Sequence, residues 1–309
     1  MARHYGIPYM GSKQKLVDKI VPFILKRHPN ATDFYDLFGG GGSVALYVLF
    51  KYPQLNVHYN ELSTAIGGLM ERLRAGGDIP LDFITMDAFK RSYKGSDWYA
   101  GLLQSCWTFG NNQHSYLYGK DLEEFKHELH NAVVYAKQNH DWLKHFVDEY
   151  IARVDGREVS VNIFLNEKRY KTPYQRRIVL QRQLDRLGAL QHMARLERLV
   201  QIQNMPGISD LKITSGLSYA EVPLGGGQII VYCDPPYENT AEYREGGFDH
   251  KAFYDWVMDQ PHPVYVSSYK VSDPRLKLVR AVNTRSLMNA ANDVAKYNYE
   301  NLYWNGVGL

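Results

Sequence analysis

Two rhythms of apolar and polar positions alternate along the chain. Residues 33–39, DFYDLFG, form a short apolar run that stops on glycines, and SVALYVLFKY behind it has helical spacing. Together they predict strand, turn and helix. NVHYNEL, residues 56–62, predicts the next short strand. Such alternation predicts an α/β fold with a doubly wound, parallel sheet. From about residue 78 to 205 long charged helical patterns take over, among them KDLEEFKHELHNAVVYAKQNHDWLKHFVDEY. After Gly225, Gly226 and Gly227 strands return in QIIVYC, in PVYVSSY at 263–269 and in ENLYWN at 300–305. The sheet is therefore expected from both ends of the chain, residues 1–115 and 210–309, around an inserted helical domain at 116–209.

Within the insertion, Leu184, Leu187, Leu190, Met193, Leu196, Leu199, Ile202 and Met205 recur every third residue. On an α-helix each such step walks the stripe by roughly 60°. The spacing predicts a helix packed on more than one side, or else one that is not regular.

Composition narrows the class. The 309 residues carry a net charge of +3, and the longest apolar run, Val44 to Phe50, is far too short to span a bilayer. No signal-peptide core precedes it, so a cytoplasmic protein is expected. The two cysteines, Cys106 and Cys233, sit far apart in apolar surroundings and predict buried free thiols. Charge is uneven: residues 151–205 hold eleven Arg or Lys against five Asp or Glu, while the remainder holds 25 against 28. Such a basic stretch suits a polyanion-binding face, and equally a solvated helical surface.

Two short segments carry candidate chemistry. Gly39 to Gly42 lie between a strand and a helix, where glycines let a backbone approach a ligand closely; alone they also suit a structural loop or a dinucleotide site. About 20 residues on, Glu61 stands where doubly wound folds place an acid against ribose hydroxyls. The second segment is VYCDPPYENT, a buried-looking strand that stops on Asp234, Pro235, Pro236 and Tyr237. An amine conjugated with an aromatic base is a poor nucleophile, because its lone pair is delocalised into the ring. A carboxylate and a carbonyl pinned by prolines, which lack a competing N–H, can accept its two hydrogens and orient it. A neighbouring ring can stack on a base taken out of a duplex.

In these segments the sequence resembles the Dam-like adenine-N6 DNA methyltransferases, the α group of amino-methyltransferases. DPPY resembles motif IV, DLFGGGGS motif I, and YMGSKQKL near the N-terminus motif X, in that group's order, over roughly residues 5 to 65 and 225 to 270. The resemblance implies a Rossmann-like class I methyltransferase fold and methyl transfer from S-adenosylmethionine to an exocyclic amine. It implies that Lys13, with Tyr9 nearby, lies beside the methionine end of the cofactor, that Asp36, Phe38, Gly39, Gly40 and Gly41 wrap its amino-acid part, and that Glu61 holds the ribose. Asp234, Pro235, Pro236 and Tyr237 become the catalytic segment, with Asp234 also beside the cofactor. VYVSSY, with Ser267, Ser268 and Tyr269, resembles a later motif lining the base pocket, and WTFGNN places Phe109, Asn111 and Asn112 near the adenine.

A departure accompanies the likeness: the family's target-recognition hairpin has no counterpart between 113 and 215, so no target sequence carries over. Arg169, Lys171, Arg176, Arg177 and Arg182, interleaved with Tyr170 and Tyr174, are the candidate phosphate and base contacts, or else a solvated helix face. The expected partner is double-stranded DNA, with a cognate restriction endonuclease as a further candidate, no membrane, no metal, and a monomeric or weakly dimeric state. Cytosine-N4 transfer, an RNA substrate, and a non-catalytic DNA-binding relative stand as alternatives; a nicotinamide-dependent dehydrogenase would leave DPPY without a purpose.

Overall fold

The computed structural model describes residues 5–134, 190–238, 247–285 and 297–308. The candidate DNA contacts Arg169, Lys171, Arg176, Arg177 and Arg182, the interleaved Tyr170 and Tyr174, and the start of the three-residue repeat lie outside the described residues.

Among the described residues seven strands form one sheet: β1 (Asp33–Asp36), β2 (Asn56–Glu61), β3 (Lys212–Ser215), β4 (Ile229–Cys233), β5 (Val264–Ser268), β6 (Lys277–Arg285) and β7 (Tyr297–Trp304). Their order is β3-β2-β1-β4-β5-β7-β6. The first five run parallel, and β7 lies antiparallel between β5 and β6. The described helices are α1 (Val17–Arg27), α2 (Ser43–Lys51), α3 (Thr64–Arg74), α4 (Met86–Ser92), α5 (Trp98–Cys106), α6 (Lys120–Val134), α7 (Gln191–Gln203) and α8 (His250–Asp259). None is long and apolar enough to cross a membrane.

Strand geometry explains why the central segments read as continuous apolar runs. Successive side chains point to opposite faces, and both faces are covered. Phe34, Tyr232 and Tyr265 join one core with α1, α2, α3 and α7. Tyr35, Val231, Cys233, Val264 and Val266 join a second core with Phe253, Tyr254 and Val257 of α8. Cys106 and Cys233 are buried free thiols, as their apolar neighbourhoods predict.

Helix α7 settles the three-residue repeat for its described part. Leu196, Leu199 and Ile202 are buried with His192, whereas Gln191, Ala194, Glu197, Val200 and Gln201 are exposed. Three positions at this spacing sweep only about 120° of a helix surface, so the stripe remains one broad face. The expectation of a helix packed on several sides is corrected here: the run is too short to encircle the axis. The buried face packs on α3 and α5. Two arginines at its margin reinforce the seat. Arg195 donates to the carbonyls of Cys106 and Thr108 at 3.1 and 2.7 Å, and Arg198 donates to the Tyr5 carbonyl at 3.1 Å and to Gln14 Oε1.

Leu199 is fully buried in this seat. Leu199→Ala should lower unfolding stability by about 2–5 kcal/mol, as measured by urea denaturation, because the surrounding helices can close the cavity only in part.

Candidate active site

The sheet order creates the site. Strands β1 and β4 are neighbours with Asp36 opposite Tyr232, yet the chain leaves β1 through α2 towards β2, so a crevice opens at their carboxyl ends. Motif-bearing segments from distant parts of the chain meet there: the glycine turn follows β1, and Asp234 follows β4.

The glycine turn is shaped by close backbone approach. Gly40 and Gly42 have φ of 49° and 75°, the left-handed region that glycine adopts without strain. A Cβ on Gly39 would lie 2.2 Å from the Tyr59 ring, and one on Gly41 would lie 2.7 Å from Cβ of Tyr9. Tyr59 donates its hydroxyl to the Gly40 carbonyl at 2.7 Å, and Ile7 N–H donates to the Gly41 carbonyl at 2.8 Å. Glu61 ends β2 and braces the same turn: Oε2 accepts from Gly40 N–H at 2.7 Å and Oε1 from Ser63 N–H at 2.9 Å. Burial raises the Glu61 carboxyl above its ordinary range, while these two N–H donors pull it back. Asp36 is buried beneath the turn, with Oδ2 accepting from Ala45 N–H in the first turn of α2 at 3.1 Å. Its Oδ1 has no partner among the described residues, and burial pushes its pKa up to about 8, with Asp234 and Glu61 adding to the rise.

Across the crevice a charged cluster gathers around Lys13. This lysine sits in a short 3-10 turn, Lys13–Lys15, and is 5% exposed. Its Nζ donates to Asp234 Oδ2 and to the Tyr237 hydroxyl, both at 2.6 Å, and lies 3.6 Å from Glu300 Oε1. Glu300 also accepts from the Tyr237 hydroxyl at 2.8 Å and from Ser267 Oγ at 2.6 Å. Burial alone would lower the Lys13 pKa, but the two carboxylates together override it and hold the ammonium charged. For Asp234, burial dominates and raises the pKa to about 6, opposed by Lys13 and assisted by Glu300. Asp234 Oδ1 is buried and has no hydrogen-bond partner among the described residues.

The rest of the DPPY segment is fixed from outside. The Pro236 carbonyl accepts from His250 Nε2 at 2.8 Å, tying the segment to the start of α8. Glu238 Oε1 accepts from the Tyr254 hydroxyl at 2.6 Å and from Ser272. Tyr237 meets Tyr269 edge to face at a centroid distance of 4.5 Å, and Tyr269 is 48% exposed.

Several candidates sit elsewhere. Phe38 packs among Tyr219, Phe248 and Phe253 on the α8 side of the sheet. Ser268 donates to the Lys270 carbonyl in its own loop. Asn112 bonds locally to Ser115 and to His114 N–H, in a turn where Asn111 has φ of 58° and Phe109 is 67% exposed. Glu300 escaped the sequence reading, because ENLYWN reads as an ordinary strand and its acid reads as a solvent-facing end.

This sheet order, with β7 antiparallel between β5 and β6, places an acid-glycine crevice at the switch point of a doubly wound sheet. Residues 9–61 match the family model of the D12 class N6 adenine-specific DNA methyltransferases. No curated protein matches the chain. Among solved structures, SMU.472, assigned as a methyltransferase and solved in complex with SAH, is 9% identical with a TM-score of 0.23 over 46% of this chain. The chain spans 39% of that protein's length.

The residues present fit the cofactor that the sequence resemblance implies, S-adenosylmethionine. The glycine cradle admits no side chain at Gly39 or Gly41, and the unpartnered Asp36 Oδ1 lies beneath it. Gly39→Ala should lower S-adenosylmethionine affinity at least about tenfold by isothermal titration, since Tyr59 must be displaced from the turn that it braces.

Proposed function

We propose that the protein methylates the N6 amine of adenine in duplex DNA, drawing the target base out of the helix into the crevice beside Asp234. The observation that carries this reading is the Asp234 acceptor itself: an N–H donor, the Lys13 ammonium, already occupies Oδ2 at 2.6 Å, in a site walled by Tyr237 and Tyr269. The family match over residues 9–61 supports adenine as the base, and the basic stretch 151–205 supports a polyanionic partner.

In this reading Asp234 accepts one hydrogen of the amine and the Pro235 carbonyl the other. That pair draws the nitrogen towards tetrahedral geometry and aims its lone pair. Tyr237, its hydroxyl held by Lys13 and Glu300, presents its ring to the base. The glycine turn, Glu61 and Asp36 would hold S-adenosylmethionine, which would supply the methyl as an electrophilic sulfonium. The nitrogen becomes strongly acidic only as it gains the methyl, so Asp234 need not remove a proton beforehand. Its carboxylate then stands within reach to take the released proton. Arg169, Lys171, Arg176, Arg177 and Arg182 are assigned to phosphate and base contacts, in a recognition segment over 116–209.

Asp234→Ala should abolish transfer from labelled S-adenosylmethionine to unmethylated DNA while leaving cofactor affinity within about threefold; normal methylation by this variant would refute the assignment. Mass analysis of the product nucleoside should give N6-methyladenine, and N4-methylcytosine there would shift the substrate to cytosine. The hydrogen-bond acceptor has to be ionised. Since the Asp234 pKa is raised to about 6, single-turnover transfer should be constant above that pH and fall about tenfold per unit below it.

A further inference from the structure

The two prolines of the catalytic segment leave it with few ways to be held. Pro235 and Pro236 have no N–H to donate, so only their carbonyls can take part in backbone hydrogen bonds. The functional reading assigns the Pro235 carbonyl to the amine. The Pro236 carbonyl is taken by the protein itself, accepting from His250 Nε2 at 2.8 Å. Little freedom separates the two carbonyls. The Pro236 ring locks φ at roughly −65°, and Pro235, because it precedes a proline, is confined to extended conformations. Once the Pro236 carbonyl is held, ψ of Pro236 is the one soft dihedral between it and the plane of the Pro235 carbonyl. Asp234, anchored by Lys13 at 2.6 Å, limits that rotation from the other side.

The donor stands on a rigid mount. His250 opens α8, whose Phe253 and Val257 are fully buried in the core. Asp249 caps the helix by accepting from Ala252 N–H at 2.9 Å, and the His250 ring meets Phe248 edge to face at a centroid distance of 4.9 Å. One turn further on, Tyr254 donates its hydroxyl to Glu238 Oε1 at 2.6 Å, so two positions on one face of α8 grip the middle and the end of the segment. We propose that His250 is a positioning residue that holds the Pro236 carbonyl and through it aims the Pro235 carbonyl at the second hydrogen of the amine. Lys13 sets Asp234 from the N-terminal turn and His250 sets Pro235 from α8, so each acceptor has its own support. A carbonyl can only accept, so Nε2 carries the proton of this bond.

Resting on the methyltransferase reading above, this role separates from it by experiment. His250→Phe keeps a ring against Phe248 and removes the donor. With the full chain, labelled S-adenosylmethionine and unmethylated DNA, the single-turnover rate of methyl transfer should fall about tenfold to a hundredfold, the scale of a misplaced reacting group. The Kd values for S-adenosylmethionine and for DNA should stay within about threefold, because the glycine cradle and the basic stretch are untouched. His250→Gln, which offers an amide N–H at similar reach, should recover most of the lost rate. The pH below which transfer falls should match that of the wild type in both variants, since the pair of Asp234 and Lys13 is unaltered. An unchanged rate in His250→Phe, an equal loss in His250→Gln, a parallel loss of cofactor affinity or a displaced pH profile would overturn the proposal and leave the functional reading in place. A wild-type protein that binds S-adenosylmethionine but methylates no nucleic acid would overturn both.

Discussion

The buried ammonium of Lys13 ties the site together. It comes from the N-terminal turn and meets Asp234 after β4 and Glu300 on β7, so one charge fixes three parts of the chain that the sequence places far apart. Removing one partner of such a buried set typically costs about 3–5 kcal/mol, because it leaves an uncompensated charge. That penalty holds the DPPY segment, the N-terminal turn and the last strand of the sheet in a single arrangement. The wider structure serves this contact. Arg198 on α7 holds the N-terminal segment through Tyr5 and Gln14, and His250 on α8 holds the Pro236 carbonyl.

The same crevice gathers more buried acid than one lysine can balance. Asp36, Glu61 and Asp234 are each pushed upward by burial, and each is partly relieved in a different way. Glu61 is relieved by two backbone N–H groups of the turns around it, Asp36 by the N–H of Ala45 at the start of α2, and Asp234 by Lys13. Glycine makes the first relief possible, since only a turn without Cβ atoms can bring Gly40 N–H onto the Glu61 carboxylate while Tyr59 and Tyr9 crowd either side. Among the described residues, Oδ1 of Asp36 and Oδ1 of Asp234 have no partners, as befits a site built to receive donors from elsewhere.

How much of this was legible from sequence follows from the range of the interactions. The central strands of the sheet read clearly because they are buried on both faces, which produces apolar runs such as IIVYC with no gaps, whereas β3 and β6 at the two edges carry no such run and were not read from the sequence. The glycine turn, Glu61 and DPPY were legible because each carries its chemistry in a few consecutive residues at a strand end. Glu300 was not, since a buried acid on a late strand is marked only by its partners Lys13, Tyr237 and Ser267, which no local pattern connects to it. Phe38 shows the converse: it lies inside a legible motif, yet its ring packs away from the turn into the aromatic core beside α8. The repeat in α7 suggested encirclement because spacing was counted over a longer run than the described helix contains.

A sheet this tightly tied must still accommodate the long segment between α6 and α7. The structure meets that need with a clasp at the two ends of the segment. His130 near the end of α6 and His192 at the start of α7 lie 2.9 Å apart through Nδ1 and Nε2, and the Tyr118 hydroxyl lies 2.7 Å from the other His192 nitrogen. Trp107 stacks on the His192 ring at 4.3 Å, and Phe83 packs edge-on to it. Burial, with His130, Lys126 and Arg195 nearby, lowers the His192 pKa to about 3, so the ring stays neutral with one nitrogen to donate and one to accept. A neutral clasp keeps the same hydrogen bonds across the working pH range and leaves the ends of the segment fixed beside α5.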